Sequence, residues 1–320
     1  MLVWSGALTV LGGALLSPTI AQAGDRSDAA TQPSRLLGTP FTPSGGGVPA
    51  GVDTTVFTSR TEAMIAAKKA LVAEFDAALA GHLAWSTFNQ RRAALEAHLG
   101  GPPNSRVSTS YGGASPDYCI PSCRDPNPRD ADIYTNFYAQ INYYYCGPAS
   151  GQMILHAMGY NTSHDGEGLS QPELAITKYL ETDKWGQTPW YVSSVDQPYP
   201  QTLNYWRTGS YNGYYVLQGA PSVSTERSDM RLDITGRYPV ALNTTEQYSG
   251  YHLPGHPTDA GYFNRYGPIG HWVDNNGFHN YEWTVHYADS ATSVWPDVHQ
   301  FNDVNLTDIN TLLQNHGMVW

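Results

Sequence analysis

The spacing of apolar positions changes along this chain, and the changes divide it into segments. From Ser59 to about Ala80 the apolar residues Ile65, Leu71, Val72, Phe75 and Leu79 recur at helical intervals. Ser59 followed by Glu62 supplies a capping box at the front. A second helix is predicted over 86–99, closed by GGPPN at 100–104. Together these form an accessory helical segment, 59–103, that reads either as a hairpin packed on the main domain or as a removable pro-segment. Further helices are predicted over 147–158, with Pro148 in the first turn, over 170–180, signalled by Ser170, Pro172 and Glu173, and over 225–235, stopping at Gly236. The period then shortens to two: PVALN at 239–243, GHWVDNNGF at 270–278 and EWTVHYADS at 282–290 read as strands. Helices first and strands later predict an α+β fold, with the main domain over 131–320. Between the periodic segments, 24–58 is a Gly/Pro/Ser/Thr-rich tether and 104–130 a loop.

Residues 2–20 form the only long apolar run, and the AQAGD that follows supplies a small-residue cleavage position after Ala23. Segment 1–23 therefore reads as a signal peptide and the protein as secreted, although no Lys or Arg precedes the run, as a retained anchor would also allow. The charge balance narrows the partners. Formal net charge is −11, which disfavours nucleic acid and anionic membrane, because both bind basic faces. No second stretch has membrane-spanning length, so no transporter domain is read from this chain.

There are three cysteines. Cys119 and Cys123, in DYCIPSCRD, are close enough to pair in an oxidising compartment, and so short a loop would contribute about 2 kcal/mol in the chain-entropy model. Cys146 is left over, in QINYYYCGPASGQ, immediately before a predicted helix. Unpaired N–H groups and the helix dipole favour a thiolate there, the form that acts as nucleophile. Gly147 would let a substrate backbone approach. The bland alternative is a small buried apolar side chain.

A thiolate nucleophile needs a base, a group to orient the base, and oxyanion donors. Gln140, six residues upstream, can supply one donor beside the Cys146 N–H. His271 opens a strand pattern. If strands 271–277 and 283–289 are joined by FHNYE, His271 lies directly across from Asp289, close enough for the carboxylate to hold the imidazole. A rival register turns at Asn276-Gly277 and places Glu282 opposite His271 instead. His252 and His256 have the spacing of helical metal ligands, but Pro254 and Gly255 forbid the helix; neither a metal nor a cofactor is expected. The sequons at Asn161, Asn243 and Asn305 are without an assigned use.

In order, QINYYYCGPASGQMIL at 140–155, RYPVALN at 237–243, GHWVDNNGF at 270–278 and HYADS at 286–290 resemble the blocks of the papain-like bacteriocin-processing peptidases and their stand-alone secreted relatives. The resemblance covers about 131–295. It implies a papain-like fold, with a helical part carrying the nucleophile Cys146 and an antiparallel sheet carrying the base His271 and its orienter Asp289, and with Gln140 as oxyanion donor. The implied activity is hydrolysis of peptide bonds through a thioester. Ser290-Ala291 stands where family members commonly have a proline soon after the aspartate. Alternatives with the same chemistry are a cell-wall endopeptidase or a thiol acyltransferase. A non-catalytic alternative is a peptide- or glycan-binding module using aromatic segments such as NYWRTGSYNGYYV at 204–216.

Overall fold

A computed structural model describes residues 54–103, 107–110 and 128–320. The predicted signal peptide, most of the tether, and both Cys119 and Cys123 lie outside the described residues. Helix α1 spans Thr54–Leu79 and α2 spans Trp85–Ala97. The first begins five residues before the expected capping box, since TTVFT at 54–58 holds no helix breaker, and the tether is shorter than predicted. Strands β1 (Val107–Ser110) and β2 (Asp130–Ile133) pair antiparallel, so part of the stretch expected to be a loop is sheet. Helix α3 (Cys146–Ala157) begins on the cysteine itself. Helix α4 (Gln171–Ala175) is capped by Ser170, whose hydroxyl accepts from the Glu173 N–H, as expected, but it stops early because Ile176 turns extended. Short α5 (Thr182–Trp185) and then α6 (Pro198–Thr208) follow. The remaining elements are β3 (Leu217–Gly219), α7 (Val223–Thr235), β4 (Val240–Glu246), α8 (Ala260–Tyr266), β5 (Ile269–His279), β6 (Thr284–Ala288), β7 (Phe301–Asn305), α9 (Leu306–Leu312) and β8 (Gly317–Val319).

These strands form one mainly antiparallel sheet in the order β1-β2-β5-β4-β8-β3, with β6 and β7 continuing from β5. Its central strands are apolar on both faces. Val240, Leu242, Val273 and Met318 enter one apolar cluster with α1, α2, α7 and α9, while their neighbours Ala241, Trp272 and Val319 enter another with α3, α4 and α6. The α+β class is as expected. The helical hairpin is part of the core, because Leu71, Phe75, Ala78 and Phe88 are buried in the first cluster.

Two expectations need correction. The β5–β6 hairpin pairs Asp274 with Ala288 and, beyond a bulge at Asn276, His279 with Thr284. His271 therefore lies beyond the end of β6 and is not directly across from Asp289. The loop is shorter than FHNYE: Asn280, Tyr281 and Glu282 all take positive φ (53°, 56°, 64°), and β5 runs straight through Asn276-Gly277, which rules out the rival turn as well. The aromatic stretch at 204–216 is not a surface platform either. Trp206, Tyr214 and Tyr215 are at most 2% exposed and help build the core.

Candidate active site

Cys146 is the first residue of α3, so its own N–H and those of the next residues have no acceptor within the helix. Pro148, in the first turn, loses nothing by lacking an N–H. The glycine at 147 answers a local need rather than a substrate's: a Cβ there would meet the Thr188 hydroxyl at 2.0 Å. Thr188 in turn accepts, through its carbonyl, the Trp272 indole N–H (3.2 Å), and Trp272 stacks on Tyr199 at 4.1 Å. The Tyr199 hydroxyl shares a 2.6 Å hydrogen bond with Ser150 of α3. This chain of contacts braces the start of α3 against β5, next to His271.

His271 is buried, with Nε2 2.9 Å from Asp289 Oδ1, and the neighbouring Cys146 side chain is among the groups that raise its pKa. With Nε2 taken by the carboxylate, Nδ1 is the nitrogen left for sulfur. Asp289 reaches His271 because it does not stay in the β6 register. It caps a short 3-10 turn (Ser290–Ser293) by accepting from the Ala291 N–H at 2.9 Å, which swings the carboxylate back under the imidazole. That bond needs the N–H of Ala291.

Two residues to which the sequence reading gave no place at the site complete the arrangement. His256 Nε2 is 3.0 Å from the other Asp289 oxygen, and His256 Nδ1 is 2.6 Å from Glu246 Oε1. His252 Nδ1 lies 3.3 Å from Glu246 Oε2. An imidazole that meets carboxylates through both nitrogens must carry both protons, so His256 is an imidazolium wedged between two anions. Burial works against that charge, but Asp289 and Glu246 outweigh it and raise the His256 pKa. Burial likewise opposes the charge on His271, and Asp289 together with Cys146 overrides it, pushing the pKa up to about 10. Burial would raise the Asp289 pKa, yet the two imidazoles hold that carboxyl well below the usual range. The HLPGH stretch forms no helix, as expected, and its histidines converge on Glu246 at the end of β4.

Gln140 is buried at the same cleft, which Tyr143, Tyr144, Tyr262 and Trp295 wall. Ser290 Oγ donates to Gln140 Oε1 (3.1 Å), and the Gln140 N–H donates to the Ser290 carbonyl (2.9 Å). The residue that departs from the expected proline thus fixes Gln140. With its oxygen held, Gln140 turns Nε2 toward the Asn142 carbonyl at 2.9 Å. A larger cavity, about 800 Å³, lies between α1 and α6 and shares no lining residue with this cleft; no cysteine lines it. His256, His271 and Asp289 could also bring three donor atoms to one cation, but both His256 nitrogens and His271 Nε2 are already hydrogen-bonded to carboxylates.

Of the residues singled out from the sequence, Cys146, His271, Asp289 and Gln140 lie together in the structure. His256 and Glu246 were missed; the only available signal for them was a cluster of histidines after a strand ending in glutamate. Among the described residues, Cys146 is the free cysteine, and no helix is long and apolar enough to cross a membrane. No protein-family model and no curated protein matches the chain.

Proposed function

We propose that this protein is a cysteine peptidase of papain-like fold that hydrolyses peptide or related amide bonds. The observation that carries the reading is the buried chain Cys146, His271, Asp289, in which a thiol at a helix N-terminus meets an imidazole held charged by a carboxylate. The Cys146 thiolate attacks the carbonyl carbon, and the oxyanion is met by the Cys146 N–H and the Gln140 side-chain amide. The tetrahedral intermediate collapses as His271 gives its proton to the departing amine, leaving a thioester on Cys146. His271, now neutral, takes a proton from water as the hydroxide adds to the thioester carbonyl. Collapse of that second intermediate releases the acid, and the thiolate and imidazolium are restored.

An acyltransferase would use the same atoms and differ only in accepting an amine in place of water. The signal-like segment supports secretion, and the chain's net charge of −11 supports a peptide or protein substrate over nucleic acid. The test is alkylation by iodoacetamide at mildly acidic pH, followed by a peptide-library digest. Cys146 is expected to be carboxamidomethylated far faster than free cysteine at that pH, and Cys146→Ala is expected to abolish cleavage. An unreactive Cys146, or cleavage that survives its removal, overturns the reading.

A further inference from the structure

The β2–β5–β6–β7 end of the sheet, on the face opposite the apolar cluster of α1, α2, α7 and α9, carries a second set of chemistry-bearing residues. Asp132 of β2 is in register with Gly277 of β5, Gly277 with His286 of β6, and His286 with Asp303 of β7. Directly paired residues point to the same side of a sheet, so Asp132, His286 and Asp303 stand in one row across four strands. His279, two positions beyond Gly277, joins them on that face. The intervening residues Phe278, Val285 and Val304 point the other way, into the core.

Gly277 makes the row a cluster. A Cβ there would sit 2.1 Å from Asp132 Oδ1, so the missing side chain is what lets the carboxylate lean across β5. Asp132 Oδ1 is then 3.1 Å from His279 Nε2, while Asp303 Oδ1 is 3.2 Å from His279 Nδ1 and 2.8 Å from His286 Nδ1. Donor atoms of Asp132, His279 and His286 all fall within 4.8 Å of one another. A first-row divalent ion with bonds of about 2.0 to 2.2 Å holds neighbouring ligand atoms about 3 to 3.5 Å apart, so little movement would be required. Among the described residues neither Asp132 nor Asp303 has a lysine or arginine partner, which leaves the imidazoles, or a cation in place of their protons, to balance two carboxylates. Rigid strands supply every ligand, and the side chains are partly exposed (Asp132 37%, His279 29%, His286 21%), open to an ion from solvent.

We propose that Asp132, His279 and His286, with Asp303 hydrogen-bonded beside the two imidazoles, form a binding site for a divalent transition-metal ion of the zinc type, independent of the cysteine site. Two imidazoles with a carboxylate suit zinc over calcium or magnesium, which take oxygen ligands. Binding would tie β2, β5, β6 and β7 together, and β5 and β6 are the strands that lead to His271 and Asp289.

The experiment is calorimetric titration of zinc chloride into tag-free, chelator-stripped full chain at neutral pH. One ion per chain is expected at this site. His279→Ala and His286→Ala are each expected to weaken it by about tenfold to a hundredfold, Asp303→Asn to weaken it as well, and Cys146→Ala to leave it unchanged. Zinc should raise the thermal midpoint of the wild type but not that of the double histidine variant. Because all four side chains face outward, circular dichroism should show the variants folded. Acidification to about pH 5 should release the ion as the imidazoles take up protons. No uptake at millimolar zinc overturns the proposal. So does an affinity unmoved in the folded double variant, or one lost in Cys146→Ala.

Discussion

Asp289 accepts from two imidazoles at once, and this sets what single residues do at the site. From Glu246 through His256 and Asp289 to His271, carboxyl groups and imidazoles alternate along a buried hydrogen-bonded chain that ends beside Cys146. Such a chain is held together by its ends. Glu246→Gln keeps the size and one acceptor of the side chain but removes the charge that keeps His256 protonated. His256 then grips Asp289 less firmly, and the aim of His271 loosens. Turnover is expected to fall on the order of tenfold with KM little changed, as for a misplaced catalytic group; steady-state kinetics on a cleaved peptide checks it. The pH limit follows from His271. Its folded pKa, about 10, exceeds the unfolded value of about 6.5, so its contribution to stability is whole below about pH 6.5 and is lost as pH rises through about 10. Over that rise the imidazolium also loses the proton owed to the leaving amine. Acylation, followed by single-turnover release of the amine product, is expected to decline toward pH 10. A flat profile there would show that His271 is not the acid.

At the scale of elements, β5 shows both how far the sequence can be read and where it stops. Its apolar alternation and its opening histidine were legible, and so was the helix that places Cys146. The rival reading turns the chain at Asn276-Gly277, yet Asp274, Asn275 and Asn276 are all buried in the strand. The bulge at Asn276 absorbs one residue, and the turn moves to three residues with positive φ that carry no glycine to announce it. Helix α6 was invisible for a different reason. PYPQTLNYWRT has two prolines and a single aliphatic residue, and its buried face is built from aromatic and amide side chains. His256 and Glu246 meet only through tertiary folding, which neither spacing nor period encodes. Asp274 is the most costly member of β5: neither carboxylate oxygen has a hydrogen-bond partner, and burial pushes its pKa well above the ordinary value. For a raised carboxyl the sign is fixed. Relative to a neutral side chain it costs nothing below the unfolded pKa of about 3.9, and above that value the penalty grows with pH until the folded pKa is reached. The stability of Asp274→Asn relative to wild type is therefore expected to improve as pH rises above about 4. Denaturant unfolding at several pH values measures the slope, and parallel curves would show that Asp274 finds a partner.

For the whole molecule the question is whether the α1–α2 hairpin can be removed. A pro-segment should lie on a finished domain through a polar, separable surface. Here α1 sends Leu71, Phe75 and Ala78 into the same apolar cluster as β4 and β5. It also sends in Lys68, fully buried, with its ammonium 3.1 Å from Asp233 of α7. The ammonium lies over the rings of Tyr214 (3.7 Å) and Trp320 (4.3 Å), and burial lowers its pKa to about 8. Without α1, Asp233 would keep the Tyr214 hydroxyl at 2.7 Å but lose its paired cation inside the protein. Breaking one half of a buried ion pair costs about 3 to 5 kcal/mol, a large share of the 5 to 15 kcal/mol that typically holds a domain together. Lys68→Met is expected to lose about that much while keeping the apolar contacts. A chain begun at residue 104 loses the pair and the apolar contacts together, and is expected to show no cooperative unfolding transition. Were the segment a removable inhibitor, the same truncation would yield a folded protein with higher activity, so calorimetry and a peptide-cleavage assay on the one truncated chain separate the two outcomes.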